Sequence, residues 1–394
     1  MRIVRGAEEG RRTILRRQAL GETELPEAIR RKNEAIFGTD LPVEEQVRRV
    51  LRDVQQDGDA AVRRYSKAFS GVERASFEVP DAEIKNAYQS VDAELVDALR
   101  EAAGRIEAYH VRQREHSSRS FSHEGIGMQV RAIERVGMYV PTSPGAVYPS
   151  SVLMTAIPAK VAGVRELIMM TPAAAGPAAA GPAAAEPAGA DGVVSPLKLV
   201  AADIAGVDRV FAAGGAEGIG ALAYGTETIP RVDKIVGPGG LFVTLAKREV
   251  FGGVGIDALY GPSETIVIAD ESANPALAAA DLLAQAEHDE LATPILLTTS
   301  ESVAEAVGAE VERQLKLLER EAIARASFEA RGGAVIVGSV EEAVELASEY
   351  APEHLCLLVR DAAEIAKTVR NAGGIFVGDD APESLGDYTA GPSH

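Results

Sequence analysis

Short apolar runs alternate with helical segments from about residue 125 onward, and this alternation constrains the fold more than any other feature. The helical segments lie at 195–205, 216–224, 302–330, 340–350 and 362–371. The runs have the composition of buried strands and lie at 166–170, 209–212, 234–236, 265–269, 294–298, 334–337, 354–359 and 374–377. Repeated strand–helix–strand units return the chain to the same edge of a sheet, which makes the strands parallel. The sequence therefore predicts an α/β fold with two blocks of largely parallel sheet, one on either side of the turn at 261–264.

The first third of the chain has a helical pattern instead. Apolar residues recur at three- and four-residue spacing over 43–69 and 80–113, with charges between them. Three histidines on or after the second of these helices are expected to face solvent: His110, His116 and His123. Residues 172–189 repeat alanine, proline and glycine, and we expect a flexible surface loop there because closely spaced prolines prevent a helix.

Composition excludes several classes of protein. The chain has 394 residues, 46% apolar and 25% charged, which is enough for two or three domains with sizeable cores. No apolar run is long enough to span a bilayer, and the basic N-terminus lacks the apolar segment of a secretory signal. The net charge of −19 argues against a nucleic-acid ligand. The single cysteine, Cys356, fits a reducing cytoplasm, and its apolar neighbours favour a core residue over a nucleophile.

Gln285 and His288 are the first candidate ligands for a metal. They lie three residues apart near the end of a predicted helix, so their side chains project from one face. An amide oxygen and an imidazole can hold a divalent metal, and the weak amide donor suits a catalytic zinc better than a structural one. Asp387, after the last strand, would add a third donor. Alone, a glutamine and a histidine at this spacing are more often an ordinary polar helix face.

Glu353 and His354 place a carboxylate and an imidazole side by side just before a buried strand. At a strand end both side chains can reach a cleft, the usual place for catalysis in parallel sheets. There His354 can accept the proton of an alcohol and Glu353 can activate water. An isolated pair of this kind is usually an exposed surface pair with no catalytic role.

Glycine-rich turns occur at 214–218 and 237–240, each after a strand and before a helix. Their backbone amides could face a pyrophosphate, although neither turn matches the G-x-G-x-x-G fingerprint. The alternative is that the glycines only allow the chain to turn tightly.

Seven motifs in a fixed order are much more specific together than any one alone. They are Tyr139-Val140-Pro141, Tyr148-Pro149-Ser150-Ser151-Val152-Leu153-Met154, Val232-Asp233-Lys234-Ile235-Val236-Gly237-Pro238-Gly239, Gly261-Pro262-Ser263-Glu264, Gln285-Ala286-Glu287-His288-Asp289, Ala351-Pro352-Glu353-His354-Leu355 and Leu385-Gly386-Asp387-Tyr388. From about residue 20 to the last residue, the sequence resembles the histidinol dehydrogenase family.

The resemblance implies a cytoplasmic enzyme that oxidises L-histidinol to L-histidine via histidinal with two NAD, at the end of histidine biosynthesis. It also implies a homodimer with one Zn²⁺ per subunit and sites completed across the interface. The zinc ligands, which also position substrate, would be Gln285, His288 and Asp387. Ser263 and His354 would also bind substrate, and Glu353 and His354 would be the paired proton acceptors. The NAD contacts would be Tyr139, Glu217 and Gly240.

The sequence departs from the family pattern in three places. The family has glutamine at the position of Glu217 and asparagine at that of Gly240, so we expect weaker or altered NAD binding, because a carboxylate repels pyrophosphate. Thr142-Ser143 replaces a glycine pair, which would stiffen that turn. The family also continues past the position of His394 with a substrate-binding glutamate and a further zinc-ligating histidine. We expect that the sequence is incomplete, the alternatives being that His394 or water takes that histidine's place or that the protein is impaired.

The expected architecture is two Rossmann-like α/β domains with largely parallel sheets, plus an N-terminal helical arm at 1–30. The resemblance implies a first domain split into 31–137 and 264–394, which carries the zinc and catalytic residues. An NAD-side domain at 138–263, with the flexible loop 172–190, would be inserted in it. Two alternative functions remain open: a family member that oxidises another polar alcohol, such as a sulfonated diol, and a degenerate non-catalytic homologue.

Overall fold

The chain forms two compact units in the computed structural model, which describes residues 1–17, 27–142, 147–173 and 192–393, with only the backbone at Ala28 and Asp387. Unit 1 comprises Met1–Glu22 and Pro262–Asp387, and unit 2 comprises Thr23–Gly261 and Tyr388–His394. Most of the predicted loop at 172–190 lies outside the described residues, as do Ser143 and His394.

Helices and strands alternate along most of both units. In chain order they are β1 (Ile3–Arg5), α1 (Ala7–Arg12), α2 (Glu27–Phe37), α3 (Val43–Asp57), α4 (Asp59–Ser70), α5 (Asp81–Ala87), α6 (Ala93–Glu115), β2 (Phe121–His123), β3 (Ile126–Met128), β4 (Arg135–Tyr139), α7 (Pro149–Val161), β5 (Glu166–Thr171), α8 (Pro196–Ile204), β6 (Arg209–Ala212), α9 (Gly215–Tyr224), β7 (Lys234–Val236), α10 (Leu241–Val250), β8 (Gly255–Ile256), β9 (Glu264–Ala269), α11 (Pro275–Ala286), β10 (Thr293–Thr298), α12 (Glu301–Leu315), α13 (Glu321–Ala330), β11 (Gly333–Ile336), α14 (Val340–Tyr350), β12 (His354–Leu358), α15 (Ala362–Ala366), β13 (Gly374–Val377) and α16 (Glu383–Tyr388). Within the described ranges, no helix combines the length and hydrophobicity that crossing a bilayer requires.

Unit 1 is built on a six-stranded parallel sheet in the order β1-β11-β10-β9-β12-β13. Without β1, the strands lie in the sequence order third, second, first, fourth, fifth, which is the doubly wound, Rossmann-like arrangement. The strands β9, β10 and β12 are buried on both faces, because apolar helices cover the sheet from either side.

The segment 1–30, for which the sequence predicts a helical arm, contains the helix α1 but begins with the strand β1. Ile3–Arg5 pairs in parallel with Ala334–Ile336 at the edge of the sheet. The open edge of β11 offers backbone hydrogen bonds that a short apolar segment such as β1 can satisfy. Val4 then packs against the apolar core of unit 1.

Unit 2 contains a five-stranded parallel sheet in the order β6-β5-β4-β7-β8, which repeats the doubly wound order of unit 1. Its central strand, β4, is absent from the predicted strands, because the glycine and arginine in Arg135–Tyr139 interrupt the apolar run. The strands β2 and β3 form a separate antiparallel hairpin whose residues are all exposed.

The helices of the first third belong to unit 2, whereas the predicted division assigns 31–137 to the domain that contains 264–394. The apolar face of α3 shares one core with α9 and α10, in which Val54 and Leu222 are buried together. An amphipathic pattern predicts that a helix has a buried face, but it does not say which sheet covers that face. The predicted division rests instead on the family resemblance, and in the structure the packing of α3 on α9 and α10 decides the unit to which these helices belong.

The other local predictions have mixed outcomes. All eight predicted strands are confirmed, and the helix predicted over 43–69 is interrupted at Gly58, whose φ is 55°. Cys356 is a core residue with 1% exposure, as predicted. The prediction for His110 is wrong: it is buried on the inner face of α6, with Nδ1 2.8 Å from Gln113 Oε1. His116 and His123 are exposed, as predicted.

Candidate active site

The amino ends of the neighbouring strands β9 and β12 hold the first group of candidate residues. Thr265 pairs with His354 in the parallel register, so Ser263, just before β9, and Glu353, just before β12, lie at the same edge of the sheet. Glu264 N–H donates a hydrogen bond to Glu353 Oε2 at 3.3 Å, which ties the two strand ends together. The register thus brings Ser263, Glu353 and His354 to one edge.

The end of α11 brings the predicted metal donors to this edge. Gln285 is buried in the last turn of the helix, and its Nε2 lies 2.9 Å from His354 Nδ1. His288 is half-buried in the turn that follows, where its N–H donates to the Gln285 carbonyl at 3.1 Å. The helix ends at Ala286, so the turn, and not the helix, keeps His288 near Gln285.

The short helix α16 contributes the third part of the group. Asp387 lies in this helix, but its side chain is outside the described residues. One turn earlier, Glu383 is fully buried and its Oε2 lies 3.3 Å from His354 Nδ1. Sequence reasoning missed Glu383. The available signal is its position four residues before Asp387, because helical residues at that spacing share a face.

A second buried carboxyl group joins α11 to α16. Asp281 lies one turn before Gln285 and is 8% exposed, and its Oδ1 accepts a hydrogen bond from Glu383 N–H at 3.4 Å. Burial, and then the neighbouring Glu383 carboxylate, raise the pKa of Asp281 to about 6. Burial also raises the pKa of the Cys356 thiol well above its usual range, which keeps this residue from acting as a nucleophile.

The donors at this edge fit zinc by their chemistry. Gln285 directs its amide nitrogen toward His354, so the amide oxygen is the end that suits a metal, and His288 supplies an imidazole. Among the described side chains, no group of three or more His, Cys, Asp and Glu residues could hold a metal ion. The predicted set of Gln285, His288 and Asp387 is of a different kind, because Gln285 is an amide and the Asp387 side chain lies outside the described residues.

The location of this group differs from the general rule for parallel sheets. Ligands usually bind at the carboxyl ends of parallel strands, whereas these residues gather at the amino ends of β9 and β12. The helix α11 starts after the carboxyl end of β9 and runs back to the amino edge. Glu383 of α16 contacts Thr265 and Cys356 near the starts of the same strands. The helices α11 and α16 therefore bring polar side chains to the amino ends of the strands, where ligands do not usually bind.

The three predicted NAD contacts lie in unit 2, at or just beyond the carboxyl ends of three strands of its sheet. Tyr139 ends β4, and its buried hydroxyl accepts a hydrogen bond from Gly215 N–H at 3.1 Å. Glu217 lies in the first turn of α9, which follows β6. Gly240 is the exposed N-cap of α10, which follows β7. Both glycine-rich turns thus connect a strand to a helix, as the sequence predicts.

Glu217 is buried, with 3% exposure, and its Oε2 has no hydrogen-bond partner among the described residues. Burial raises its pKa to about 8, so the protonated, neutral form predominates at pH 7. The repulsion of a pyrophosphate that the sequence suggests is therefore largely removed at neutral pH. A neutral carboxyl group has nearly the size of glutamine and, like it, both donates and accepts hydrogen bonds.

A cavity of about 360 Å³ lies beside Glu217 within unit 2. The turn at 212–216 forms part of its wall. Phe37, Phe69 and Phe242 contribute apolar surface. An apolar cavity with a few polar groups at one side is typical of small-molecule sites.

Two buried lysines, which sequence reasoning missed, hold the backbone near the same ends of the strands. Lys198 is 1% exposed and donates to Thr142 Oγ1 at 2.8 Å and Thr171 Oγ1 at 3.2 Å, and burial lowers its pKa to about 7. Lys247 donates to the Gly237 carbonyl at 2.9 Å and thereby fixes the second glycine turn. A lysine in a helical pattern predicts exposure, so the sequence carries no signal for either contact.

Comparison with known proteins decides the family. The family model for histidinol dehydrogenase matches residues 37–394. The chain is also 47% identical to the histidinol dehydrogenase of Bacillus cereus over 354 residues, which cover 89% of this chain and 79% of that protein. The chain belongs to the histidinol dehydrogenase family.

Other histidinol dehydrogenases match over the whole chain. The one from Dehalococcoides mccartyi is 44% identical over 398 residues, covering 100% of this chain and 86% of that protein. The crystal structure of histidinol dehydrogenase from Elizabethkingia anophelis matches with a TM-score of 0.85 and 32% identity, covering 100% of this chain and 84% of the other. The match to the histidinol dehydrogenase family model includes every candidate residue of both units, from Tyr139 to Asp387.

Replacing Glu217 by glutamine should stabilise the protein at alkaline pH. The folded-state pKa of about 8 lies above the ordinary value of 4.5, so the folded state holds a proton that the unfolded state releases between these values. The free energy of unfolding therefore falls as the pH rises from about 4.5 to 8, by about 1.4 kcal/mol for each pH unit in that window. Glutamine does not ionise, so at pH 8.5 the free energy of unfolding of Glu217→Gln should exceed that of the parent by several kcal/mol. Urea unfolding at pH 5 and pH 8.5 measures the difference. Glu107→Gln, at an exposed position of α6, is the control, and equal gains at both pH values would contradict the burial argument.

Proposed function

We propose that this chain oxidises L-histidinol to L-histidine via histidinal, as the last step of histidine biosynthesis, with NAD as hydride acceptor in both oxidations. The observation that carries the proposal is the convergence of Ser263, Gln285, Glu353 and His354 at one sheet edge in a member of the histidinol dehydrogenase family. We also propose a cytoplasmic location, which the single, buried cysteine supports.

Zinc is the metal that we propose for this edge. Gln285, His288 and Asp387 would hold it, through an amide oxygen, an imidazole nitrogen and a carboxylate, all of which zinc accepts. Bound zinc would supply a Lewis acid that orients polar groups of the substrate. The contact of Gln285 Nε2 with His354 supports this assignment, because it turns the amide oxygen of Gln285 away from the imidazole.

The proton transfers fall to Glu353 and His354. In the first oxidation, His354 accepts the hydroxyl proton of histidinol as hydride leaves the carbinol carbon, which gives the aldehyde. In the second, Glu353 accepts a proton from water as the water oxygen adds to the aldehyde carbon, and a second hydride then leaves that carbon. The hydrogen bond from Glu264 N–H holds the Glu353 carboxyl group at the edge where both steps would occur.

Unit 2 offers the features expected of an NAD site. Glycine-rich turns lead into the N-termini of α9 and α10, which favour negatively charged groups such as a pyrophosphate. Tyr139, Glu217 and Gly240 lie in or beside these turns, and the cavity next to Glu217 has aromatic walls that suit a planar ring. We propose these three residues as NAD contacts.

Zinc-loaded protein with excess NAD should form about two NADH for each L-histidinol consumed, because oxidation of a primary alcohol to a carboxylate releases two hydrides. NADH absorbance together with chromatographic measurement of histidinol and histidine gives the ratio. No NADH from zinc-loaded protein would contradict the proposal, and faster turnover of another polar alcohol would favour that substrate.

Glu353→Gln tests, in the same assay, whether Glu353 acts in the second oxidation and His354 in the first. This change removes the group that would accept a proton from water, so the second oxidation should slow by about 100-fold while the first proceeds. Histidinal should accumulate, and the ratio should approach one NADH for each histidinol. A variant that still forms two NADH for each histidinol at the parent rate would contradict the role of Glu353.

Gly240→Asn should tighten NAD binding about fivefold, because one added hydrogen bond contributes about 1 kcal/mol. The φ of Gly240 is −67°, and a Cβ there would have no described atom within 4 Å, so asparagine fits without strain. Isothermal titration calorimetry with NAD measures the change. Gly104→Asn, at another exposed glycine with open space, should leave NAD affinity unchanged. Equal affinities for Gly240→Asn and the parent would contradict the assignment of Gly240.

We propose that the protein is a homodimer in which the β2–β3 hairpin lies against a second copy of the chain. Phe121 and Ile126 are 59% and 77% exposed on this hairpin, with Met128 and Val130 beside them. A two-stranded hairpin with exposed apolar side chains is marginally stable alone and gains stability from a covering surface. The exposed hairpin therefore supports the dimer that the family resemblance implies.

Ile126→Lys should shift the protein from dimer to monomer, because the charge would be buried at the interface without a partner. Sedimentation velocity at several protein concentrations measures the association. Leu317→Lys is the matched control, since Leu317 is also an exposed apolar residue, at 74%, but lies in unit 1. A parent protein that sediments as a monomer, or equal association of both variants, would contradict the proposed interface.

A further inference from the structure

Glu383 is a fully buried carboxyl group with three side-chain partners. The Thr265 hydroxyl and the Cys356 thiol both donate to its Oε1, the thiol at 3.1 Å. Its Oε2 lies 3.3 Å from Nδ1 of His354. None of the seven sequence motifs includes Glu383, and the reaction proposed above assigns it no proton transfer.

The backbone of Glu383 is fixed as well as its side chain. Its N–H donates to Asp281 Oδ1 at 3.4 Å, which links the first turn of α16 to the middle of α11. Asp281 precedes Gln285 by one helical turn, and Glu383 precedes Asp387 by one turn. The two helices that carry proposed zinc ligands are thus joined through residues that lie deeper in unit 1.

We propose that Glu383 is a positioning residue for His354, which holds a proton on Nδ1 so that Nε2 can accept the proton of the alcohol. The inference rests on the proposed oxidation of histidinol, because it assigns His354 the role of base.

The argument follows from the two tautomers of neutral imidazole. Nε2 can accept a proton only while Nδ1 carries the ring hydrogen, and a hydrogen on Nδ1 needs an acceptor. Nδ1 contacts the Gln285 amide nitrogen at 2.9 Å, which can only donate, and Glu383 Oε2 at 3.3 Å, which can accept. The two neighbours favour opposite tautomers, and Glu383 favours the one that a base requires.

Burial makes this preference strong. A carboxylate without water is stabilised by the donors around it; Glu383 Oε1 receives hydrogen bonds from Thr265 and Cys356, and Oε2 gains a third donor only when His354 carries its hydrogen on Nδ1. An apolar side chain would fill the same space at lower cost to folding. The carboxylate therefore contributes orientation and proton placement at His354, which apolar packing cannot supply.

The test compares Glu383→Leu and Glu383→Gln with two matched controls, Thr265→Val and Cys356→Ala. Each control removes one other partner of the same carboxyl group and leaves the contact between Glu383 and His354 in place. Long-range 1H–15N correlation spectra of 15N-histidine-labelled full-length protein report which ring nitrogen carries the hydrogen. His354→Asn identifies the His354 signals among those of the six histidines.

We expect the Nδ1–H tautomer of His354 in the parent and both controls, and the Nε2–H tautomer in Glu383→Leu, where the carboxylate acceptor is gone and the Gln285 donor remains. With zinc-loaded protein, kcat for histidinol should fall about 100-fold in Glu383→Leu, with KM for histidinol and NAD within about threefold of the parent. Glu383→Gln keeps the side-chain size and an oxygen acceptor, so its kcat should lie between these values. The controls should stay within about threefold of the parent in kcat.

An unchanged tautomer in Glu383→Leu would overturn the inference, and so would an equal loss of kcat in the two controls. If Glu383→Leu does not fold, the spectrum of Glu383→Gln is the deciding test. An Nδ1–H tautomer as complete as in the parent would then overturn the inference, because it would show that the charge of the Glu383 carboxylate has no role. The spectra need neither substrate nor turnover. A parent that shows the Nδ1–H tautomer but does not oxidise histidinol would contradict the proposed function and leave the positioning role of Glu383 supported.

Discussion

The parallel pairing of β9 with β12 is the constraint on which the candidate site depends. The register sets Thr265 beside His354, so the residues just before each strand, Ser263 and Glu353, meet at one edge. Side chains alternate along a strand, so a slip of one residue would turn His354 to the opposite face of the sheet. Cys356 shares the face of His354 and packs with α11, whereas Leu355 packs with α14 on the other face. The apolar residues of β12 on both faces thus fix the register that the polar residues use.

The face that His354 shares with Cys356 carries an unusual set of buried polar groups. Asp281, Gln285, His354 and Glu383 are each no more than 9% exposed, in a layer otherwise made mainly of alanine, valine and leucine. Burying such groups is unfavourable unless they bond to one another, and here each has at least one partner in the set. Because an apolar layer would fold more easily, the polar set is explained by the chemistry that it supports, not by stability.

Sequence patterns predict the parts of this fold that local physics determines. Strands such as Thr293–Thr298 are recognisable because a buried parallel strand is apolar throughout its length, and Gln285 and His354 stand out because they interrupt apolar segments. Three features depend on tertiary contacts and escape prediction: the packing of α3 on α9, the amino-edge location of the site, and the burial of Glu383. Glu383 has the sequence context of an ordinary first-turn glutamate, and only the return of α16 across the sheet places it under His354.

Glu217 and Gly240 show why a substitution must be judged by its surroundings. By the family resemblance, both stand where an amide side chain is expected, and the sequence alone predicts weaker NAD binding for both. Burial raises the pKa of Glu217 to about 8, so at pH 7 the carboxyl is mainly neutral and retains nearly the size and hydrogen-bonding capacity of glutamine. Gly240 is exposed at the N-cap of α10, where the missing side chain leaves only open space. We therefore expect Glu217 to disturb NAD binding less than Gly240 does at neutral pH. Above pH 8 the buried Glu217 carboxyl ionises, and we expect the order to reverse.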